Sequence, residues 1–138
     1  MFAVLIGIGL AINSIAVQRW LALDGKTYYV TLTIVIASYY PLFAIMGGQT
    51  STMLIESAVM MLFVTAAMIG CRHGYALFVG LALIGHGAYD LVHHYYLTNE
   101  GMPGWWPRFC AAADLVLGSW ILYESKASVS VISVESSK

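Results

Sequence analysis

Long apolar runs, separated by short polar segments, follow one another along this chain. Each run is close to the ~20 residues that an α-helix needs to cross ~30 Å of hydrocarbon, and none alternates as a barrel strand would. The pattern predicts an all-α integral membrane bundle of about five transmembrane helices, with residues 1–125 as the membrane domain and residues 126–138 as a disordered cytoplasmic tail. The predicted spans are residues 1–20, 27–47, 52–70, 75–97 and 109–125.

Composition supports the membrane assignment. The 138 residues are 60% hydrophobic and only 9% charged, which leaves almost no surface suited to water. A soluble domain and a nucleic-acid-binding protein are therefore excluded. The expected surroundings are membrane lipids, together with a partner membrane subunit or a second copy of this chain.

The positive charges predict an orientation. Five of the six Lys and Arg residues fall on one side of the predicted membrane, and Arg108 falls on the other. Because cytoplasmic segments carry an excess of Lys and Arg, we expect the N-terminus outside and the C-terminus inside. The expected location is a cell membrane, of the kind found as the bacterial inner membrane. The five charges on the cytoplasmic side are Arg19, Lys26, Arg72, Lys126 and Lys138.

The fourth predicted span carries unusual chemistry in the stretch HGAYDLVHHYY, residues 86–96. Histidine and aspartate are costly in lipid, so their presence in a span indicates a functional site. On a helix turning about 100° per residue, His86, Asp90 and His93 fall within about 60° of one another. His94 lies only slightly further round, so one face is predicted to carry all four side chains.

Two further acids lie at a matching depth on other spans. Glu56 is a little over one turn into the third span, and Asp114 is in the second turn of the fifth. With the predicted orientation, both fall in the same outer half of the bilayer as Asp90 and His93. Independent helices have no reason to place their embedded ionisable groups at one depth unless those groups meet. We therefore predict a common interior site in the outer-leaflet half.

Burial in a membrane costs carboxylates and imidazoles free energy, and this cost falls when they pair, share protons or bind a metal ion. Asp90, His93 and His94 are the predicted metal ligands, and this donor set favours zinc first, with iron or manganese as alternatives. The remaining residues take catalytic roles, as general base for Glu56 or Asp114 and as an orienting group for His86. The alternative is a structural role, in which these residues form a polar network that only holds the helices together.

Two neighbouring chemistries are also considered. Cys110 lies one turn from Asp114 and is compatible with a soft ligand, a nucleophile or a small buried packing residue. Haem is not expected, because every histidine predicted to lie within the membrane is on the fourth span.

Three functions are compatible with this site. The first is a metal-dependent hydrolase that acts on a lipid-like ester or amide. The second is a non-catalytic metal-binding or accessory membrane subunit. The third, and least favoured, is a proton-coupled transporter that uses the same residues as a relay.

The chain contains the pattern H-x3-D-x2-H-H-x-Y, followed by prolines and then C-x3-D. This pattern resembles that of a family of small bacterial and fungal membrane proteins, which is classified as a domain of unknown function. Glu56 and Arg72 also match that pattern, whereas Ile55 and Ala113 depart from it, since the family tends to have tryptophan and a second cysteine there. The resemblance implies no activity. The shared site that it implies consists of Glu56, His86, Asp90, His93, His94 and Asp114.

A fainter similarity, one aspartate and three histidines in a helical bundle, is to membrane hydrolases of the ceramidase and progestin-receptor type. Those proteins have seven spans, so the similarity is an analogy of site chemistry alone.

Overall fold

The computed structural model describes residues 1–135, and it describes side chains as far as residue 126. Those residues form five α-helices and no strand, which confirms the all-α fold. Helices α1 to α4 are long and apolar enough to cross a membrane, and the fifth predicted span lies within α5, which is richer in charged residues. The helices are α1 Phe2–Trp20, α2 Gly25–Met46, α3 Thr50–His73, α4 Tyr75–Tyr96 and α5 Trp106–Glu135.

Helix α5 continues beyond the span predicted for it. The backbone is helical as far as Glu135, and the disordered cytoplasmic tail expected for residues 126–138 stays a prediction. No glycine or proline follows Gly118 in this helix, so nothing in the local sequence ends it. The last three residues of the predicted tail, 136–138, lie outside the described residues.

Short turns join the first four helices. Asp24 caps α2, since the backbone N–H and the hydroxyl of Thr27 both donate to its Oδ2, at 2.9 and 2.6 Å. The side-chain bond from Thr27, and then the backbone bond, hold the pKa of Asp24 below its usual value. Gly74 alone separates α3 from α4, and its φ of 143° is a conformation that side chains rarely allow. Such short connections bring consecutive helices side by side.

Helix α4 is the centre of the bundle. It packs against α5, α3 and α2, whereas α1 packs along α5 and α2 packs along α3. Among the described residues, α1 and α2 do not form an extended contact with each other. The helix with the most buried ionisable side chains among the described residues, His86, Asp90 and His93, is therefore enclosed on several sides. Of the contacts between consecutive helices, that between α1 and α2 is the weakest.

Glycines bring α4 and α5 into backbone contact. A Cβ on Gly118 would lie 2.7 Å from the carbonyl oxygen of Gly80, and a Cβ on Gly87 would lie 3.2 Å from Cβ of Asp114. Small residues at such positions let membrane helices approach closely. The close approach places the polar residues of α4 against those of α5.

Candidate metal centre

Four buried side chains from α4 and α5 meet in the bundle interior, and we call them the four-residue cluster. Each helix contributes two of them at a spacing of four residues, which puts both on one helical face. One ligand atom from each residue can be chosen so that all four atoms lie within 4.8 Å of one another. The members are His86 and Asp90 on α4 and Cys110 and Asp114 on α5.

The imidazole of His86 lies between the two carboxylates of the cluster. Its Nδ1 is 2.7 Å from Oδ2 of Asp114 and 3.6 Å from Oδ2 of Asp90. The thiol of Cys110 donates to the same Asp114 oxygen at 3.8 Å. Among the described residues, no hydrogen-bond donor reaches Oδ2 of Asp90 or Oδ1 of Asp114. Because buried carboxylate oxygens normally have partners, these two atoms indicate a ligand or proton not provided by the chain.

A tyrosine from α2 connects the cluster to the rest of the interior. The hydroxyl of Tyr40 donates to Oδ1 of Asp90 at 2.5 Å, and its ring lies 4.6 Å from the ring of His93. The loop after α4 reaches the same residue, since Nδ2 of Asn99 donates to the carbonyl of Tyr40 at 3.0 Å. Tyr40 therefore contacts Asp90 of the cluster, His93 and the loop after α4.

A second group of polar residues lies between α3 and α4, and we call it the glutamate triad: Glu56, Tyr89 and His93. Oε1 of Glu56 is 2.6 Å from Nε2 of His93, and Oε2 accepts the Tyr89 hydroxyl at 2.8 Å. Glu56 and His93 are fully buried. Both oxygens of the Glu56 carboxylate thus have partners. In the four-residue cluster, each carboxylate has one oxygen that no donor among the described residues reaches.

The predicted ligand set of Asp90, His93 and His94 does not come together. His94 is exposed, and its ring lies 3.7 Å from the ring of Tyr95. The physical reason is the helical turn of about 100° between neighbours, which points His94 outwards once His93 points inwards. His93 itself is engaged by Glu56, so only Asp90 of the three belongs to the cluster.

The other predicted residues are buried but lie in two adjacent groups, His86, Asp90 and Asp114 in the cluster and Glu56 and His93 in the triad. Glu56, His86, Asp90, His93 and Asp114 are all buried, and two imidazole–carboxylate pairs lie at hydrogen-bond distance. The predicted assignment of roles differs from the geometry, because His86 and Asp114 belong to the metal-competent group.

Two contributors were not predicted at all. Tyr40 and Tyr89 are aromatic residues in apolar helices, and such residues are usually packing material. The position of Tyr89 beside Asp90 and the YYP stretch at residues 39–41 were the available signals. The sequence alone is compatible with a ligand, a nucleophile or a packing residue at Cys110, and its position within the cluster adds support for a ligand.

The cluster suits a divalent transition metal. Tetrahedral ligands bonded at ~2.0–2.3 Å lie about 3.3–3.8 Å apart, so a separation at the 4.8 Å limit needs to contract by about 1 Å, whereas the 2.7 Å contact of His86 with Asp114 needs to open. Imidazole, thiolate and carboxylate are all ligands of zinc and of similar metals. A dication would also offset the charge of two buried acids that share a single histidine.

Comparison with protein-family models, with curated proteins and with solved structures gave no match. The resemblance to a family of small membrane proteins therefore stays a prediction that rests on the sequence pattern alone.

Proposed function

We propose that this membrane protein binds one divalent transition-metal ion, zinc first, at the four-residue cluster and uses it to hydrolyse an ester or amide bond of a lipid-like molecule. The observation that carries the proposal is the set of four buried ligand atoms that lie within 4.8 Å of one another. Both carboxylates of this set, those of Asp90 and Asp114, keep one oxygen without a donor among the described residues. Buried polar atoms of this kind are rare unless something else satisfies them.

Three of the four residues serve as ligands in this proposal, since catalytic zinc sites keep one position for water. They are His86, Asp90 and Cys110, and Asp114 is left to act on the water. A metal ion at this position would make a bound water nucleophilic near neutral pH and would polarise a carbonyl group.

The remaining residues hold the arrangement and move the proton. Tyr40 fixes the direction of the Asp90 carboxylate through its 2.5 Å hydrogen bond. Asp114 accepts the proton of the attacking water as the water oxygen bonds to the carbonyl carbon. The bond to the alcohol or amine then breaks, and that leaving group takes the proton from Asp114. Water is consumed, and no redox partner is needed.

Metal content is the first test. Purified wild-type protein, extracted gently and reloaded with zinc, should hold about one ion per chain by elemental analysis. Asp90→Asn should lose most of it, because a ligand charge and a lone pair are removed. Glu100→Gln is the control, since it also replaces a carboxylate by an amide but lies in the loop after α4, exposed and outside the cluster. Wild-type protein without metal would overturn the proposal and favour a network that only holds helices together.

A closed metal site is the second candidate, because four donors complete a tetrahedral shell and structural zinc sites are closed in this way. The protein would then be a non-catalytic metal-binding subunit. Asp114→Asn separates the two candidates. In the hydrolase it should keep the metal and lose turnover of lipid esters, whereas in a closed site it should lose the metal.

A further inference from the structure

An apolar cavity of about 170 Å³ lies between α1, α2 and α5. Its walls are formed by aliphatic and aromatic side chains, with Ser14 and Cys110 among the few polar groups. An apolar cavity of roughly 150 Å³ is large enough to hold a small hydrocarbon such as benzene. The residues on which the argument depends are Leu10 and Ser14 on α1, Val35 and Ile36 on α2, and Phe109 and Cys110 on α5.

The cavity lies where the bundle is least closed. Helices α1 and α2 form no extended contact among the described residues, and Val35, at the cavity wall, is 44% exposed. The hydroxyls of Ser14 and Tyr28 meet at 2.8 Å at one end. The rings of Tyr39 and Trp106 meet at 4.9 Å at the other end. Between these two contacts the cavity faces the side of the bundle that lipid surrounds.

The cavity and the candidate metal centre share one residue, Cys110. Cys110 lines the cavity and is also a member of the four-residue cluster, where its Sγ lies 3.8 Å from Oδ2 of Asp114. A molecule that fills the cavity therefore lies against a metal-competent residue without crossing any other layer of side chains.

We propose that the cavity binds one hydrocarbon chain of a bilayer lipid, which enters sideways between α1 and α2 and ends against Cys110. The volume holds a short stretch of a single chain, and the lateral position makes the bilayer itself the source. Binding of the chain depends on the cavity alone. That the bound lipid is the substrate class rests on the proposed function.

Photolabelling tests this proposal. Wild-type protein is placed in vesicles of phosphatidylcholine that carries a diazirine in one acyl chain, illuminated, and mapped by mass spectrometry. Saturable labelling, competed by unlabelled lipid, is expected on the peptides that contain Val35 and Phe109. Val35→Trp fills the cavity and should reduce this labelling at least fivefold. Leu42→Trp is the matched control, because Leu42 is also on α2, is 47% exposed and lies outside the cavity.

The outcomes are distinguishable from those of the metal test. Val35→Trp should keep its metal, and Asp90→Asn should keep its saturable labelling while it loses metal. Leu10→Trp fills the cavity from α1 and keeps the test valid if Val35→Trp does not fold, as judged by circular dichroism. Labelling that does not saturate, or that the filled variants retain, would overturn the proposal. Saturable labelling by a free diazirine fatty acid, with none by the phospholipid, would also overturn it.

Discussion

The four-residue cluster and the glutamate triad lie side by side on α4, yet their polar atoms are satisfied to different degrees. In the triad, the two oxygens of Glu56 have one partner each, His93 and Tyr89. In the cluster, two carboxylates share one imidazole, and each keeps an oxygen that no donor among the described residues reaches. Within the part of the chain that the structure describes, the unpartnered atom of the triad is a ring nitrogen, Nδ1 of His93, whereas those of the cluster are oxygens of two neighbouring carboxylates.

This difference suggests different roles for the two groups, stability of the bundle for the triad and metal binding for the cluster. A buried acid with full hydrogen bonding helps to hold helices together, and removal of one partner leaves the other buried and uncompensated. Two adjacent acids with a single imidazole repel each other unless a proton or a cation lies between them. The triad should therefore matter to the stability of the metal-free protein, and the cluster should matter to metal binding.

The largest expected effect comes from replacement of one carboxylate by an amide in each group. Glu56→Gln should lower the free energy of unfolding of the metal-free protein by about 3 kcal/mol, because two hydrogen bonds to a buried charged group are weakened. Asp114→Asn should change it by less than about 1 kcal/mol, since the lost hydrogen bonding is offset by reduced repulsion from Asp90. Unfolding by sodium dodecyl sulfate in mixed micelles measures both. Equal losses in the two variants would contradict the distinction.

A smaller effect is expected from the glycine contacts that hold the cluster together. Gly118→Ala places a Cβ 2.7 Å from the carbonyl oxygen of Gly80, which forces α4 and α5 apart at a cost of about 1–3 kcal/mol. Zinc affinity, measured by competition with a chelating dye, should fall as well. Gly9→Ala is the control, since nothing lies within 4 Å of a Cβ there. An unchanged affinity in Gly118→Ala would show that the cluster tolerates a wider helix separation.

The loop after α4 should contribute less. Asn99→Ala removes the 3.0 Å hydrogen bond to the carbonyl of Tyr40, the residue that touches both polar groups, and should cost about 1 kcal/mol. Glu100→Ala is the control, because the loop uses the backbone N–H of Glu100 in its bond to Gln49. If thermal unfolding gives the same midpoint for both variants, the loop does not support Tyr40.

The smallest effect is expected at the outward-facing histidine. His94→Ala should change stability by less than about 0.5 kcal/mol and leave the metal content intact, because the side chain is exposed. His93→Ala, one residue earlier, should lower the free energy of unfolding by about as much as Glu56→Gln, since it leaves Glu56 buried beside Tyr89 alone. A metal loss in His94→Ala would restore the ligand set predicted from the sequence.

The fold and the burial of the site could be predicted because the bilayer restricts both. Apolar runs of spanning length form helices in lipid, and ionisable residues within them turn inwards. That reasoning predicts that Glu56, Asp90 and Asp114 are buried, which they are, although Glu56 lies in a different group from the other two. The orientation across the membrane stays a prediction, because it depends on which side carries the cytoplasmic charges.

The partners within the site could not be predicted from helical spacing. His93 and His94 are equivalent in residue type, and only the packing of α4 against its neighbours determines which one faces inwards. Similarly, spacing shows that Cys110 and Asp114 share a face of α5, but it does not show which α4 residues lie opposite. The backbone contact between Gly80 and Gly118 sets which residues of α4 and α5 lie opposite each other. A single sequence does not show which glycines make contact between helices.

The four-residue cluster is confined to α4 and α5, two helices joined by one loop, and this has a consequence for biogenesis. Both helices leave the ribosome after α1 to α3, and they can enter the lipid together as a hairpin. Within that hairpin, Asp114 lies against His86 instead of hydrocarbon, which offsets part of the free-energy cost of placing an acidic residue in a membrane span. We therefore expect the hairpin of α4 and α5, and not α5 alone, to be the unit that inserts.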